Sequence, residues 1–332
     1  MIVKRRLLTL RCVIKGKVQK LTSNLVMVAP QCEARDANTD TEYSKCVDLR
    51  RPHKVKRAIE TMDKDSNVTE AQTKIFEAVA NTRIALIVVD FQNDFISGSL
   101  SVKEGSAGED PLDAIPIIND LANEESLDMV VYTQDWHPKN HISFVERAKD
   151  TDRMLENGHH DKELKAFDAV QFETPSLKQV LYPSHCVENS WGAQLHSDLV
   201  LPGSNVFLIR KGEETHVDSY SAFADNDGKQ LNELEKLLKS NNITAVLCCG
   251  LAYDICVRHT LSDASKHGFL TGVIRDCSKA FSQEMASDTN KFLASEKIAI
   301  LDASTAKSVI NGEKIPIEWL SKICDKLKSD ED

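Results

Sequence analysis

From residue 84 onward the chain alternates between short apolar runs and longer segments of helical periodicity. The apolar runs lack polar alternation, which is typical of parallel strands buried on both faces. The segments between them carry apolar residues three or four positions apart, as Leu112, Ile115, Ile118 and Leu121 are. The runs lie at 84–90, 127–133, 205–210, 243–249, 269–275 and 297–301, and the helical segments at 111–123, 229–240, about 256–266 and 282–295.

Strands that alternate with helices predict right-handed crossover connections and a parallel sheet. We therefore predict an α/β fold with a doubly wound, mainly parallel sheet and helices on both faces. Ligands of such sheets bind beyond the carboxyl ends of the strands. Residues that follow the apolar runs are accordingly the first candidates for chemistry.

The first 80 residues differ from the rest of the chain in composition and in hydrophobic pattern. Residues 1–32 hold seven Lys or Arg and no acidic residue, and 33–80 are polar and weakly periodic. The stretches DANTD (36–40) and DKDSN (63–67) resemble the start of a calcium-binding EF-hand loop, but both lack its glycine at position 6 and its glutamate at position 12. We predict an extension over 1–80, either degenerate EF-hand-like or disordered and without a working calcium switch, and one α/β domain over 81–332.

Composition narrows the classes of partner and compartment. The 332 residues include 41 Lys+Arg and 51 Asp+Glu, and the net charge of −10 argues against nucleic acid as a partner. No run approaches 18 apolar residues, so we predict no membrane-spanning helix. Nine cysteines without a CxxC pair do not form a disulfide framework. They favour a reducing compartment, either the cytoplasm or also the nucleus, with mitochondrial targeting by residues 1–32 as an alternative. The protein is either a monomer or a homo-oligomer.

An acid, a lysine and a cysteine follow three of the apolar runs. Asp90 ends the first, Lys211 directly follows the third, and Cys256 comes shortly after the fourth, at a predicted helix N-terminus. The helix dipole and Lys211 are expected to lower the pKa of the thiol, and Asp90 to relay its proton. The backbone N–H groups of Ala252 and Cys256 are candidates for an oxyanion hole. These residues predict a cysteine nucleophile, against the alternative of a buried apolar thiol.

Histidines and an aspartate after the second run suggest a metal site. Asp135 and His137 alternate along an extended segment, and His185 follows Pro183 in a constrained loop. One carboxylate and two imidazoles suit one divalent transition metal, zinc first, with manganese or iron as alternatives. His141 is either a fourth ligand or a neighbour that supports the ligands.

Five segments together resemble the nicotinamidases, which belong to the isochorismatase-like cysteine hydrolases. They are VVDFQNDF, DWHPKNHISF, YPSHCVENSWGA, RKG followed by DSYSAF, and GLAYDICV, and they occur in the order typical of that family over roughly 82–305. An animal type with an N-terminal extension is the nearest kind. The resemblance implies an isochorismatase-like hydrolase fold for 81–332 and a metal-dependent amidohydrolase that converts nicotinamide to nicotinate and ammonia through a thioester on Cys256.

The resemblance also implies roles for individual residues. The catalytic residues would be Asp90, Lys211 and Cys256, and the metal ligands Asp135, His137 and His185, with His141 close to the ion. Gln92 would support the metal waters, and Phe95 and Tyr182 would contact the substrate ring; the family often has tryptophan in place of Tyr182. The peptide between Leu251 and Ala252 would be cis, and the 43 residues between His141 and His185 would lid the pocket.

Two other functions are weighed against this one. The first is hydrolysis of a different small amide by a member of the same superfamily, and the second is a non-catalytic protein that binds a ligand in the pocket. The intact set of candidate metal and catalytic residues favours nicotinamide hydrolysis over both.

Overall fold

The computed structural model describes residues 10–14, 17–21, 41–49, 70–159, 161–203 and 205–329. Its centre is a six-stranded sheet in which every pair of neighbouring strands is parallel. The strands are β4 (Ile84–Val89), β5 (Met129–Asp135), β9 (Val206–Lys211), β10 (Ala245–Leu251), β11 (Leu270–Lys279) and β12 (Ala299–Leu301). Each of the six predicted apolar runs forms one of these strands, which confirms the predicted sheet.

Helices cover both faces of the sheet, as predicted. They are α1 (Glu70–Ala80), α2 (Asn93–Ile96), α3 (Ile115–Ala122), α4 (Glu233–Ser240), α5 (Arg258–Lys266), α6 (Gln283–Ser295), α7 (Ala303–Ile310) and α8 (Ile317–Ser329). Alternate residues of β4 face opposite cores: Leu86 and Val88 pack on the side of α3 and α8, and Ile87 packs on the side of α4 and α5. Complete burial of β4 explains why its sequence is continuously apolar.

The strand order places one switch point beside β4. The order across the sheet is β12-β11-β10-β4-β5-β9, so the chain runs outward from β4 through β5 to β9 and then returns to the other side of β4 as β10. Crevices for ligands form at such points, outside the carboxyl ends of the strands. The segments that follow β4 and β10 therefore lie on the two sides of this crevice.

The long connection between β5 and β9 forms a small sheet of its own. Strands β6 (Met154–Leu155), β7 (Ala169–Thr174) and β8 (Leu177–Val180) pair antiparallel in the order β6-β7-β8. They enclose a separate apolar cluster that includes Leu155, Val170 and Phe172. We call residues 145–181 the inserted sheet.

Two pieces of the predicted extension pack on the α/β domain. Strand β3 (Cys46–Asp48) pairs antiparallel with β13 (Lys314–Pro316), and Ile75 and Val79 of α1 lie against the same core as α8. Strands β1 (Leu10–Ile14) and β2 (Lys17–Leu21) form an antiparallel hairpin. Both EF-hand-like stretches, 36–40 and 63–67, lie outside the described residues, so the division at residue 80 stays a prediction. No helix in the described part of the chain is both long and apolar enough to cross a membrane.

Candidate active site

The ends of β4 and β9 and the turn after β10 bring Asp90, Lys211 and Cys256 together, as the sequence predicts. Lys211 Nζ lies 2.8 Å from Asp90 Oδ2 and donates to Cys256 Sγ at 3.5 Å. The ammonium also donates to Asp135 Oδ1 at 2.5 Å and to the Ser219 carbonyl at 2.9 Å. Burial of an ammonium is costly unless it is paired, and here two carboxylates stabilise it.

Thr133 holds the Asp90 carboxylate in place. It points from β5 toward the end of β4, donates from Oγ1 to Asp90 Oδ1 at 2.6 Å, and accepts from the Asp90 backbone N–H at 3.1 Å. Both residues are completely buried. Burial raises the pKa of Asp90 to about 6, against the opposing effect of Lys211. A carboxylate with such a pKa is suited to accept and return a proton near neutral pH.

Cys256 lies in a single π-helical turn, Tyr253–Val257, that continues directly into α5. Turns of this type are frequent at functional sites. Asp254 anchors the turn because its carboxylate accepts from the backbone N–H groups of Phe281 and Ser282 at 3.0 and 2.8 Å. The predicted position of the cysteine at a helix start is therefore confirmed, and so is the cis peptide between Leu251 and Ala252.

The predicted direction of the thiol pKa shift is wrong. Burial raises the pKa of the Cys256 thiol well above its usual value; Lys211 opposes this shift, and Asp90 and Asp135 add to it. The lysine charge is shared between two carboxylates, so it cannot lower the pKa as an unpaired ammonium would. The resting Cys256 side chain is thus a thiol, which would need a base in order to act as a nucleophile.

Asp135, His137 and His185 also converge, with one candidate ligand atom from each within 4.8 Å of the others. The Nδ1 atoms of His137 and His185 each lie 2.8 Å from a backbone carbonyl, that of Gly212 and that of Pro183. A carbonyl only accepts, so Nδ1 of each ring carries a proton, and Nε2 keeps its lone pair when the ring is neutral. Burial opposes a charge on His137, but the Asp135 carboxylate outweighs burial and raises the pKa of His137 above its usual value. Burial, followed by His137, lowers the pKa of His185 to about 4, which keeps that ring neutral.

The chemistry of these three residues fits a divalent metal ion. His137 Nε2 is buried without a hydrogen-bond partner in the described structure, and it lies 3.6 Å from Asp135 Oδ2. An unpaired buried nitrogen beside a carboxylate and a second imidazole is the arrangement that a transition metal satisfies. Gly212 leaves the necessary space, because a Cβ there would lie 2.4 Å from His137 Cε1.

His141 and Gln92 lie behind the candidate ligands. His141 stacks on His137 with ring centroids 4.0 Å apart, and its Nε2 donates to the Val217 carbonyl at 3.3 Å. This bond favours the supporting role over that of a fourth ligand. The side-chain amide of Gln92 accepts from the Asp135 N–H at 2.8 Å and donates to the Asp135 carbonyl at 2.7 Å. Gln92 therefore fixes the backbone of a candidate ligand.

A cavity of about 490 Å³, including its solvent-open part, is lined by Cys256 and by the candidate metal ligands Asp135 and His185. Its walls are mainly apolar and aromatic, as in most sites for small organic molecules. Both predicted ring contacts, Phe95 and Tyr182, line it, and Tyr182 Oη lies 3.3 Å from Tyr220 Oη. The other lining residues are Leu100, Val102, Asp135, Phe167, His185, Asp218, Tyr220, Ala252, Ile255, Cys256 and Phe281.

Sequence reasoning missed several of these residues. Asp218 and Tyr220 belong to the DSYSAF segment, and their position just after the Lys211 strand was a usable signal. Asp218 is buried, accepts from the Ser219 N–H at 2.7 Å, and faces the pocket. Phe167 and Phe281 come from segments far from any motif, and only the folded chain brings them to the pocket.

Comparison with known proteins agrees with this geometry. The isochorismatase domain matches residues 84–303, well over half of the chain. The nicotinamidase of Acinetobacter baylyi is 43% identical over 197 residues, which are 59% of this chain and 81% of that protein. The crystal structure of PnC1 from L. infantum, in complex with nicotinate, is 33% identical with a TM-score of 0.53 and covers 67% of this chain and 94% of its own.

A second solved structure is that of a pyrazinamidase from Pyrococcus horikoshii in complex with zinc. It is 31% identical, with a TM-score of 0.50, and the match covers 66% of this chain and 99% of that one. The matched region of this chain includes the sheet, the Asp90–Lys211–Cys256 group and the Asp135–His137–His185 group. The chain therefore belongs to the isochorismatase domain family, among its nicotinamidase members.

Proposed function

We propose that the protein is a nicotinamidase, a cysteine amidohydrolase that converts nicotinamide to nicotinate and ammonia and so serves pyridine nucleotide salvage. The observation that carries the proposal is the buried Asp90–Lys211–Cys256 group at the floor of a small aromatic pocket. The relatives named nicotinamidase support the choice of amide.

The catalytic cycle that we propose begins with proton transfer from the Cys256 thiol to Asp90. The sulfur attacks the carboxamide carbon, and the backbone N–H groups of Ala252 and Cys256 receive the negative charge that develops on the oxygen. Asp90 then gives the proton to the departing nitrogen, the C–N bond breaks, and ammonia leaves a thioester. Water attacks the thioester, Asp90 takes the proton of that water, and the proton returns to Cys256 as nicotinate leaves. Lys211 keeps Asp90 oriented throughout.

Asp135, His137 and His185 would hold the metal ion, with His141 and Gln92 fixing the positions of these ligands. We propose zinc, with manganese and iron as alternatives, because one carboxylate and two imidazoles suit all three and the Pyrococcus horikoshii relative is a zinc complex. A bound ion would supply Lewis-acid chemistry toward a nitrogen-containing ring. Phe95, whose ring centroid lies 5.5 Å from that of His185, would form the adjoining wall.

The cytoplasm is the compartment that we propose. Six cysteines in the described part of the chain form no disulfide: Cys46, Cys186, Cys248, Cys249, Cys256 and Cys277. Free thiols persist in a reducing environment.

The test is ammonia release from nicotinamide by the full chain, with and without a chelator, and by Cys256→Ala. We expect turnover by the wild type, loss on chelation with recovery on adding zinc, and loss of about 1,000-fold or more in the variant. The variant should bind zinc as the wild type does. If the zinc-loaded wild type releases no ammonia from nicotinamide but hydrolyses another small amide, that result would favour the alternative substrate. Wild-type rates in Cys256→Ala would remove the nucleophile assignment.

A further inference from the structure

An aromatic side chain stands at a backbone position that favours glycine. Phe167 has φ +72° and is the third residue of a turn in which the Asp168 N–H donates to the Lys165 carbonyl at 3.1 Å. Glycine and asparagine are usual there, and a bulky residue at positive φ is a rare outlier. Its surface is 48% exposed, so burial in the core does not account for a phenylalanine at this position.

The Phe167 ring contacts two other aromatic rings of the pocket wall. Its ring stacks on Phe281 with centroids 5.1 Å apart and planes 30° from parallel, and it meets Tyr182 edge-on at 6.0 Å. All three rings line the cavity that contains Cys256. Among the described residues, the aromatic partners of this conformational outlier are both pocket walls, which suggests a role in the site.

Hydrogen bonds and close packing hold Phe281, the stacking partner of Phe167, in place. The Phe281 N–H donates to Asp254 at 3.0 Å, and its carbonyl accepts from the Ala107 N–H at 3.2 Å. Gly105 packs so closely that a Cβ there would lie 2.0 Å from the Phe281 carbonyl oxygen. Phe281 is thus fixed to the turn that carries Cys256.

Phe167, by contrast, belongs to the inserted sheet. Its N–H donates to the Leu181 carbonyl at 2.6 Å, just before the pairing of Ala169 with Val180 begins. The inserted sheet has its own apolar cluster, separate from the two cores on the main sheet. The two stacked rings therefore join separately packed units across the edge of the pocket.

We propose that Phe167 determines substrate size: it closes one side of the pocket mouth and restricts the site to flat carboxamides with a single ring. The inference rests on the proposed function and extends it to a residue outside the catalytic and metal groups. On this proposal a second fused ring would meet the Phe167–Phe281 stack, because both of these rings line the pocket. Removing the Phe167 ring should open that space and should also leave nicotinamide less well enclosed.

The test compares nicotinamide with quinoline-3-carboxamide, which carries a fused second ring, in wild type, Phe167→Ala and Phe167→Gly. We expect kcat/KM for the two-ring amide relative to nicotinamide to rise by about tenfold or more in both variants, because one misfit group in an apolar pocket is worth that much. KM for nicotinamide should rise by about 2- to 10-fold with kcat nearly unchanged, since an aromatic contact is lost. Met154→Ala is the matched control, because Met154 lies on the same inserted sheet, is also 48% exposed and does not line the pocket.

Phe167→Gly separates a substrate role from a structural one. Glycine adopts a positive φ freely, so this variant should unfold at the temperature of the wild type or above and still lose selectivity. An unchanged selectivity ratio in both variants, with nicotinamide turned over by the wild type, would overturn the inference and leave the proposed function intact. A wild type that releases no ammonia from nicotinamide would overturn the proposed function and this inference with it.

Discussion

The hydrogen bonds of Thr133 predict how the activity depends on pH. Thr133→Val keeps the shape of the side chain but removes the hydroxyl that donates to Asp90 Oδ1 at 2.6 Å and accepts from the Asp90 N–H at 3.1 Å. In the wild type, the bond from the Thr133 hydroxyl favours the ionised form of Asp90. Loss of this bond therefore raises the pKa of Asp90 above the present value of about 6.

The size of the shift follows from the strength of that bond. A hydrogen bond to a charged group contributes about 1.5–3 kcal/mol, and one pKa unit corresponds to about 1.4 kcal/mol, so the Asp90 pKa should rise by about 1–2 units. Only ionised Asp90 can accept the thiol proton, and its fraction at pH 7 would fall from about 0.9 to about 0.1–0.5. We therefore expect kcat/KM to fall about 2- to 10-fold at pH 7 and to recover almost fully by pH 9.

The assay is kcat/KM for ammonia release from nicotinamide between pH 5 and 9. Thr133→Ser keeps the hydroxyl and should retain the wild-type acid limb. Thr260→Val is the matched control, because Thr260 is equally buried and its hydroxyl accepts from the Ala222 N–H at 3.2 Å, away from Asp90. A loss by the same factor at every pH in Thr133→Val would refute the reasoning, since it would show damage to the site rather than a shifted base.

Two further substitutions test the support of the candidate metal ligands. The Cys186 N–H donates to Asp94 Oδ2 at 2.7 Å, next to His185. Asp94→Asn removes the charged acceptor of this bond, so the bond no longer fixes His185, and zinc affinity measured by chelator competition should fall about 10- to 100-fold. An unchanged zinc affinity would contradict the positioning role of Asp94. Gly212→Ala introduces a Cβ 2.4 Å from His137 Cε1 at a residue with φ +68°. This variant should therefore have a lower zinc affinity and a lower midpoint temperature of unfolding than the wild type. Wild-type values of both quantities would show that the loop at Gly212 can shift without cost.

The sheet and the location of the site could be predicted because both follow from local pattern. A strand such as β4, buried on both faces, must be continuously apolar, and its first polar residue, Asp90, marks the carboxyl end. The parallel arrangement then brings Asp90, Asp135 and Lys211 to one edge without further information. The motif resemblance identified the residues that follow these ends, His137, His185 and Cys256.

Contacts across the sheet could not be predicted in the same way. Thr133 looks like any β-branched strand residue, and its importance depends on the register of β5 against β4. Phe167 lies in a charged stretch without a motif, and its role depends on how the inserted sheet folds back to Phe281. Such pairings join residues far apart in the sequence, where neither periodicity nor spacing carries a signal.

The charges of the pocket explain why the thiol pKa was predicted with the wrong sign. Two buried carboxylates, Asp90 and Asp135, share one buried ammonium, that of Lys211. With Asp90 and Asp135 both ionised, this group carries one uncompensated negative charge. A thiolate on Cys256 would add a second, at a position where burial already disfavours charge. In the proposed cycle the proton of the thiol therefore passes to Asp90 as the sulfur attacks, because transfer to Asp90 leaves the total charge of the pocket unchanged, whereas release to solvent would not.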